Sequence, residues 1–456
     1  MAKIKSKYVC QNCGYETAGY LGKCPECGSW SSFVEEVSAP SVSESEVEVF
    51  DTTPPMPLSA IEMNSEIRMS TNISEFDRVL GGGIVQGSLI LIAGDPGIGK
   101  STILLQTSGE LCKNNKKILY VSAEESASQI KLRAERLGVK SENLYIYPQT
   151  NFELIKKHIE SMKPDLVIID SIQAIYTSII QSSAGSVSQI RECCNMLMQT
   201  AKSQNISIIV IGHVTKEGNI AGPKVLEHMV DTVIQFEGDK TKTYRILRSI
   251  KNRFGNTSEV GIFEMTSSGL SEVINPSEVF LKEYNQTQTP GSTIIVTSEG
   301  TRPLLVEIQA LVGTTPYPAP RRIANGVDTG RVLQILAVLE KRIGLNLSKQ
   351  DVYVNVIGGI DVTEPAADLG IALAIVTCVR DVVFDSQTAI IGEIGLSGEI
   401  RAVNQIEKRI NEALKLGFKR IIVPATNEIQ DEFNGIEIVK VKRILEAITR
   451  GIKYDN

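Results

Sequence analysis

Apolar residues fall into two patterns along this chain. Between residues 66 and 280, short apolar runs alternate with helix-length stretches. LILIA (89–93), KKILYVS, NLYIYP, DLVIIDS and ISIIVIGHV are separated by KSTILLQTSGELCK, ESASQIKLRAERLG, NFELIKKHIESM and VSQIRECCNMLMQTAKSQ. The short runs predict strands, and strands separated by helices imply βαβ units around a parallel sheet buried on both faces. A further helix over 73–80 runs into a triple-glycine turn ahead of the first strand.

Residues 285–456 read differently. TIIVTSEGTRPLLVEIQALV predicts paired strands, GRVLQILAVLEKRIG an amphipathic helix, DVYVNVIGG a strand and PAADLGIALAIVTCV a buried helix. AIIGEIGLSGEIRAV reads as a hairpin or bent strand pair, followed by helix NQIEKRINEALKLG and strand RIIVP. This order predicts a separate α+β domain.

Two N-terminal stretches carry neither pattern. Residues 1–33 are too short to bury a core. Residues 34–65 are rich in Ser, Pro, Val and Glu, with no Lys or Arg from Glu35 to Glu66. They predict a flexible linker, with a short β-arm docked on a neighbour as the alternative.

The chain has 456 residues, 42% hydrophobic and 22% charged, with a net charge of −6. That length allows two or three domains. No apolar run approaches the roughly 20 residues needed to span a bilayer. The N-terminal MAKIKSKYVC lacks the apolar segment of a secretory signal. A cytoplasmic protein with no membrane partner is expected. The net charge does not point to wholesale nucleic-acid binding, although a local basic stripe is enough for it.

Candidate chemistry begins where the first strand ends. Gly94, Asp95, Pro96, Gly97, Ile98, Gly99, Lys100 and Ser101 fit G-x-x-x-x-G-K-S, a phosphate-binding P-loop. Phosphates need backbone N–H donors at close range, and glycines remove the Cβ atoms that would block the approach. Lys100 is expected on the β- and γ-phosphates of ATP, and Ser101 on Mg²⁺. Asp170 closes the strand DLVIID, where a carboxylate holds Mg²⁺ through water; a helix-capping Asp is the alternative. Glu124, ending YVSAE, is the expected water-polarising residue, with Glu125 as a helix N-terminal acid. His213, ending IIVIGH, faces the same edge. It either senses the γ-phosphate or is a satisfied strand-end histidine.

Four of the eight cysteines form Cys10-x-x-Cys13 and Cys24-x-x-Cys27, with Gly14 and Gly28 following the pairs. Four thiolates make a closed tetrahedral shell, so a structural Zn²⁺ is expected, with a redox dithiol as the alternative. Metal binding would supply folding energy on the order of 10 kcal/mol. Nearby lysines and aromatics either contact nucleic acid or pack the ribbon. Cys112, Cys193, Cys194 and Cys378 lie in apolar helical patterns, as reduced core residues do.

The order of P-loop, strand-end Glu and strand-end Asp resembles the RecA-like recombinases. The run KNRFG at 251–255, together with the four-cysteine finger and the C-terminal region, resembles the bacterial RadA (Sms) family over essentially the whole chain. The resemblance implies an α/β fold: an N-terminal zinc ribbon (1–33), a linker (34–65), a RecA-like ATPase core (66–280) and a Lon-protease-like α+β domain (285–456, clearest from 350). It further implies a DNA-dependent ATPase of recombination and repair, acting in branch migration as a hexameric ring. Its partners would be single-stranded and branched DNA and a RecA-type recombinase. Matched to KNRFG, Lys251 and Arg253 would reach the adjacent subunit's ATP or couple that site to DNA, a type of contact worth about 10³ to 10⁵ in rate. Read without the family, they are a basic turn after a strand.

DNA-facing candidates are the loops 177–191 and 215–228 with Lys216 and Lys224, the KNRFG cations, and Arg302, Arg321, Arg322 and Arg331 of the second domain. Lon-type peptidases use a Ser nucleophile and a Lys base. Here Ala366 stands at the serine position and Glu407 where the lysine is expected, with Lys408 adjacent. The domain is therefore expected not to cleave peptides. The rival readings are an ATP-dependent Lon-like protease, which Ala366 opposes, and a non-motor ATP switch that recruits recombination partners.

Overall fold

The computed structural model describes residues 5–10, 14–38, 57, 68–213, 224–238, 244–281, 289–358 and 360–452. The chain divides into two compact units, Met1–Val273 and Ile274–Asn456. Among the described residues no helix is long and apolar enough to cross a membrane.

The first unit is built on the P-loop strand Leu89–Gly94, all of whose residues are buried. Its parallel neighbours are Ser207–His213 and Thr232–Glu237. Leu166–Asp170, Ile118–Ser122 and Leu144–Tyr147 continue the parallel half outward. On the other side the sheet turns antiparallel through Tyr244–Asn252, Val260–Thr266 and Gly269–Glu272.

Two cores explain the unbroken apolar strands. Ile90 and Ile92 pack in one cluster with Phe76, Ile103 and Leu104, whereas Leu89 and Leu91 pack in another with Phe152, Ile190 and Leu197. Successive strand residues point to opposite faces, so a strand covered on both sides must be apolar at every position. The predicted helices form the two layers. Ser74–Leu80 and Lys100–Lys113 contribute to the first cluster, and Phe152–Met162 and Val187–Gln204 to the second.

The ribbon is a three-stranded antiparallel sheet of Lys5–Cys10, Glu16–Thr17 and Phe33–Ser38. Its last strand continues past residue 33 into the acidic stretch, whose remainder lies outside the described residues apart from Pro57.

In the second unit the paired strands are Ser292–Glu299 and Arg302–Thr314. They anchor a mixed sheet in the order Arg322–Asn325, Gln350–Val356, Arg302–Thr314, Ser292–Glu299, Thr388–Ile390, Arg420–Pro424, Glu437–Val441. The nearly all-apolar helix Asp368–Arg380 is buried along most of its length. The predicted hairpin is Glu393–Ile394 paired with Ile400–Arg401. Strand Glu437–Val441 and helix Ile444–Gly451 close the unit, beyond the elements expected from the sequence.

Candidate nucleotide site and zinc centre

The P-loop joins the C-terminal end of its strand to helix Lys100–Lys113. Gly99 sits at φ 124°, in the region that favours glycine. A Cβ on Gly94 would lie 2.8 Å from both Cβ and O of Phe236, so strand packing also requires glycine there. The Lys100 ammonium folds back over the loop and donates to the carbonyls of Gly94 (2.7 Å) and Asp95 (2.9 Å). Burial pulls its pKa down to about 8, against the opposing charges of Asp170, Asp95 and Glu124.

A cleft of about 630 Å³ opens over the loop, lined by Lys100, Ser101, Glu124, Asp170, His213 and Arg245 among others. Asp170 ends its strand opposite Ser122. It accepts hydrogen bonds from the Tyr120 hydroxyl (2.6 Å) and from Ser101. Burial raises the Asp170 pKa, and these two hydrogen bonds oppose the rise. A half-buried carboxylate beside a hydroxyl is a hard-oxygen set that fits Mg²⁺.

The two glutamates make different contacts. A capping box between Ser126 and Gln129 starts helix Ala127–Arg136 immediately after them. Glu125 is ion-paired with Arg133 of that helix. Glu124 instead accepts from the Ser171 hydroxyl and lies 3.3 Å from His213 Nε2. His213 Nδ1 is 3.4 Å from the Lys100 ammonium. An ammonium can only donate, so Nδ1 accepts, and the tautomer consistent with both contacts carries its proton on Nε2, toward Glu124. The imidazole thus links the P-loop lysine to Glu124, the candidate base. Tyr120, Ser171, Arg133 and Arg245 were not singled out by sequence. Ser171 follows Asp170 directly, and that adjacency was the only available signal.

The KNRFG turn lies at the other end of the sheet. Asn252 pairs with Thr232, which pairs with Ile90 near the start of the P-loop strand. Four residue steps along the strand lead from Ile90 to Gly94, about 13 Å at roughly 3.3 Å per residue. Lys251 donates to the carbonyls of Glu227 (2.7 Å), Val230 (2.8 Å) and His228 (3.3 Å), at the C-terminal end of helix Lys224–Met229. Burial and then Arg253 pull the Lys251 pKa below the ordinary lysine value. Arg253 is paired with Asp231 at 3.2 Å. Asn252 donates to Leu80 O, and Arg68 donates to Phe254 O, which seats the turn against the glycine-rich segment after the first helix.

In the ribbon, the sulfurs of Cys10, Cys24 and Cys27 lie within 4.8 Å of one another. The Cys10 and Cys27 sulfurs are 3.7 Å apart, which matches the edge of a tetrahedron built on Zn–S bonds of about 2.3 Å. Gly14 and Gly28 have positive φ, and their N–H groups close back on Cys10 O (2.8 Å) and Cys24 O (2.9 Å). Cys13 lies outside the described residues.

Family models match three stretches of the chain. Residues 8–35 match the family described as rubredoxin metal binding domain, 55–219 the AAA domain, and 329–427 subunit ChlI of Mg-chelatase. DNA repair protein RadA of Bacillus subtilis (strain 168) is 51% identical over 98% of this chain and 99% of its own length. The Listeria monocytogenes protein of the same name is 52% identical over 99% and 100%, and that of Streptococcus pyogenes serotype M6 is 53% identical over 98% and 99%. This chain belongs to the RadA family of DNA repair proteins. As a RadA-family chain with an AAA domain it is a DNA repair ATPase, and its ribbon is a structural zinc site.

The candidate DNA contacts of this RadA-family chain are held to different degrees. Lys216 lies outside the described residues, as does the side chain of Lys224. The stretch after Thr177 is not an open loop. Gln189 donates to the carbonyls of Thr177, Ile180 and Ser182, and pins it down. Arg302 donates to Ile274 O, Arg322 to Leu347 O and Gln350 O, and Arg331 is paired with Asp368. Arg321 is exposed and stacks over Tyr317 at 3.9 Å. At the Lon-like position, Ala366 is buried in the short turn Pro365–Ala367. Glu407 accepts from the backbone N–H groups of Gln430 and Asp431, and Lys408 is exposed.

Proposed function

We propose that this RadA-family ATPase is a DNA-dependent ring motor, a homo-hexamer that extends recombination intermediates by branch migration. Its expected setting is the cytoplasm, acting on single-stranded and branched DNA with a RecA-type recombinase. Lys100 and the loop N–H groups would hold the ATP phosphates, Ser101 and Asp170 would hold Mg²⁺, and Glu124 would orient the attacking water. Bound Mg²⁺ neutralises charge that develops on the transferred phosphoryl group. His213 answers to the γ-phosphate through its place between Lys100 and Glu124. The domain order is ribbon (1–33), linker (34–65), ATPase (66–280) and a non-proteolytic Lon-like domain (285–456).

One observation carries the reading. KNRFG sits at the sheet end remote from its own P-loop, so Lys251 and Arg253 are suited to a neighbour's nucleotide and not to their own. ATP hydrolysis with and without single-stranded DNA, on the wild type and on Arg253→Ala, tests it. Stimulation by DNA that disappears in the variant is expected. A rate indifferent to DNA defeats the motor in favour of an ATP switch.

A further inference from the structure

Asp231 is the most enclosed acid near the KNRFG turn, with 1% exposure. Its Oδ2 accepts from the Leu89 N–H (3.1 Å) and from Lys202 Nζ (2.8 Å), and its Oδ1 accepts from Arg253 Nη1 (3.2 Å). Its own N–H donates to Leu89 O at 3.0 Å, and its carbonyl accepts from Arg253 N–H at 3.1 Å. Asp231 therefore grips the first residue of the P-loop strand and both ends of Arg253: its carboxylate takes the Leu89 N–H and the guanidinium, and its main-chain carbonyl takes the Arg253 N–H. Lys202 also lies 5.8 Å from the Phe254 ring centroid, closing the group around the turn.

A buried carboxylate is costly without cations and donors around it, so these contacts are mutually required. The Arg253 side chain remains 54% exposed. Asp231 takes one edge of the guanidinium and leaves the others facing outward. An arginine side chain has many rotamers to lose, and an arginine already held by a rigid acid loses fewer of them on engaging a phosphate.

We infer that Asp231 is the positioning residue of the KNRFG arginine, holding Arg253 ready for the neighbouring subunit's nucleotide. The inference rests on the reading that Arg253 acts across the subunit boundary. A purely structural role is the rival, in which Asp231 only fastens the P-loop strand of its own chain through Leu89. Both roles lower the ATPase rate when Asp231 is changed. They differ in whose active site suffers.

The test is subunit complementation with full-length Asp231→Asn, Arg253→Ala and Glu124→Gln proteins, assayed with ATP and single-stranded DNA. Glu124→Gln subunits cannot turn over their own ATP but keep an intact Arg253. Asp231→Asn alone should show kcat about 10- to 100-fold lower, the scale of a misplaced catalytic group, with ATP affinity unchanged. Adding excess Glu124→Gln subunits should restore turnover per Asp231→Asn subunit, as it should for Arg253→Ala. If Arg253→Ala is rescued and Asp231→Asn is not, the defect lies in Asp231's own P-loop strand and the inference falls alone. If neither is rescued, the reading of Arg253 falls and takes the inference with it. Unchanged turnover in Asp231→Asn also overturns it. Asp231→Glu, which keeps the charge and shifts it by one methylene, is put through the same comparison if the Asn form melts at a lower temperature.

Discussion

Glu364 and Arg409 form a two-pronged ion pair, Nη1–Oε1 at 2.5 Å and Nη2–Oε2 at 2.8 Å, directly before the turn that carries Ala366. Arg409 also donates to Val296 O and Asn404 O, and it is 2% exposed. A buried arginine thus fills the interior two positions beyond Glu407. Removing one partner of such a pair leaves the other charge uncompensated. Arg409→Ala should destabilise the second unit by about 3–5 kcal/mol, whereas replacing both partners with apolar residues of similar volume should cost far less. Urea unfolding of the full chain, followed by a probe in the second unit, checks both.

The neighbouring Glu407 and Lys408 bear on peptidase chemistry. Ala366→Ser restores a hydroxyl but supplies no lysine base, because Glu407 is bound to backbone N–H groups and Lys408 is exposed. Casein should stay intact with this variant, with or without ATP. ATP-dependent cleavage by the wild type would falsify the non-proteolytic reading.

Lys100 gives a pH signature with two opposite signs. Its pKa is about 8 in the folded protein, against an ordinary value of 10.5. Between those values the unfolded chain binds a proton that the folded chain does not, so this group's contribution to stability rises with pH across that window. Nucleotide phosphates favour the charged ammonium. ATP binding above about pH 8 should therefore take up protons, and affinity should fall as pH climbs further. Calorimetry in buffers of different ionisation enthalpy measures the uptake.

Glu124→Gln should keep ATP binding and lower kcat by about 10²- to 10⁴-fold, the usual worth of a positioned base. Ser171→Ala should cause a smaller loss of the same kind, since the Ser171 hydroxyl bonds Glu124. Single-turnover hydrolysis beside equilibrium nucleotide binding separates the two quantities.

Chelation of zinc, or Cys24→Ser, should unfold the ribbon and leave nucleotide binding by the P-loop intact. Three thiols converge within the ribbon, whose buried apolar cluster is confined to a few residues, so metal ligation supplies folding energy that burial cannot. Metal analysis of the purified chain should give one zinc per subunit.

The parallel half of the ATPase sheet was legible because strands covered on both faces must be apolar throughout, as Leu89 to Ala93 are. The P-loop and cysteine knuckles were legible because their spacing is fixed by the ligand. The antiparallel extension after Thr232 was harder to read. Tyr244–Asn252 alternates buried and partly exposed residues, a weaker signal than an unbroken apolar run, even though its partners are the strands next to it in sequence. Arg409 went unnoticed because a buried, paired arginine reads as an exposed helix residue until its acid is found, and Glu364 lies 45 positions earlier. Asp231 escaped for the same reason, with Leu89 142 positions away.

Lys251 now takes on a meaning that its sequence neighbours do not show. Its single ammonium serves three carbonyls where helix Lys224–Met229 ends, and that helix follows the segment 214–223. A charge spent there is not available elsewhere. Any state in which Lys251 reaches toward another subunit's phosphates leaves this helix end without its cation, so the helix should loosen as the neighbour's nucleotide is engaged. On the proposed reading, engagement at one subunit boundary would then be registered as slack at this helix end of the donating subunit, through a residue that can answer only one demand at a time.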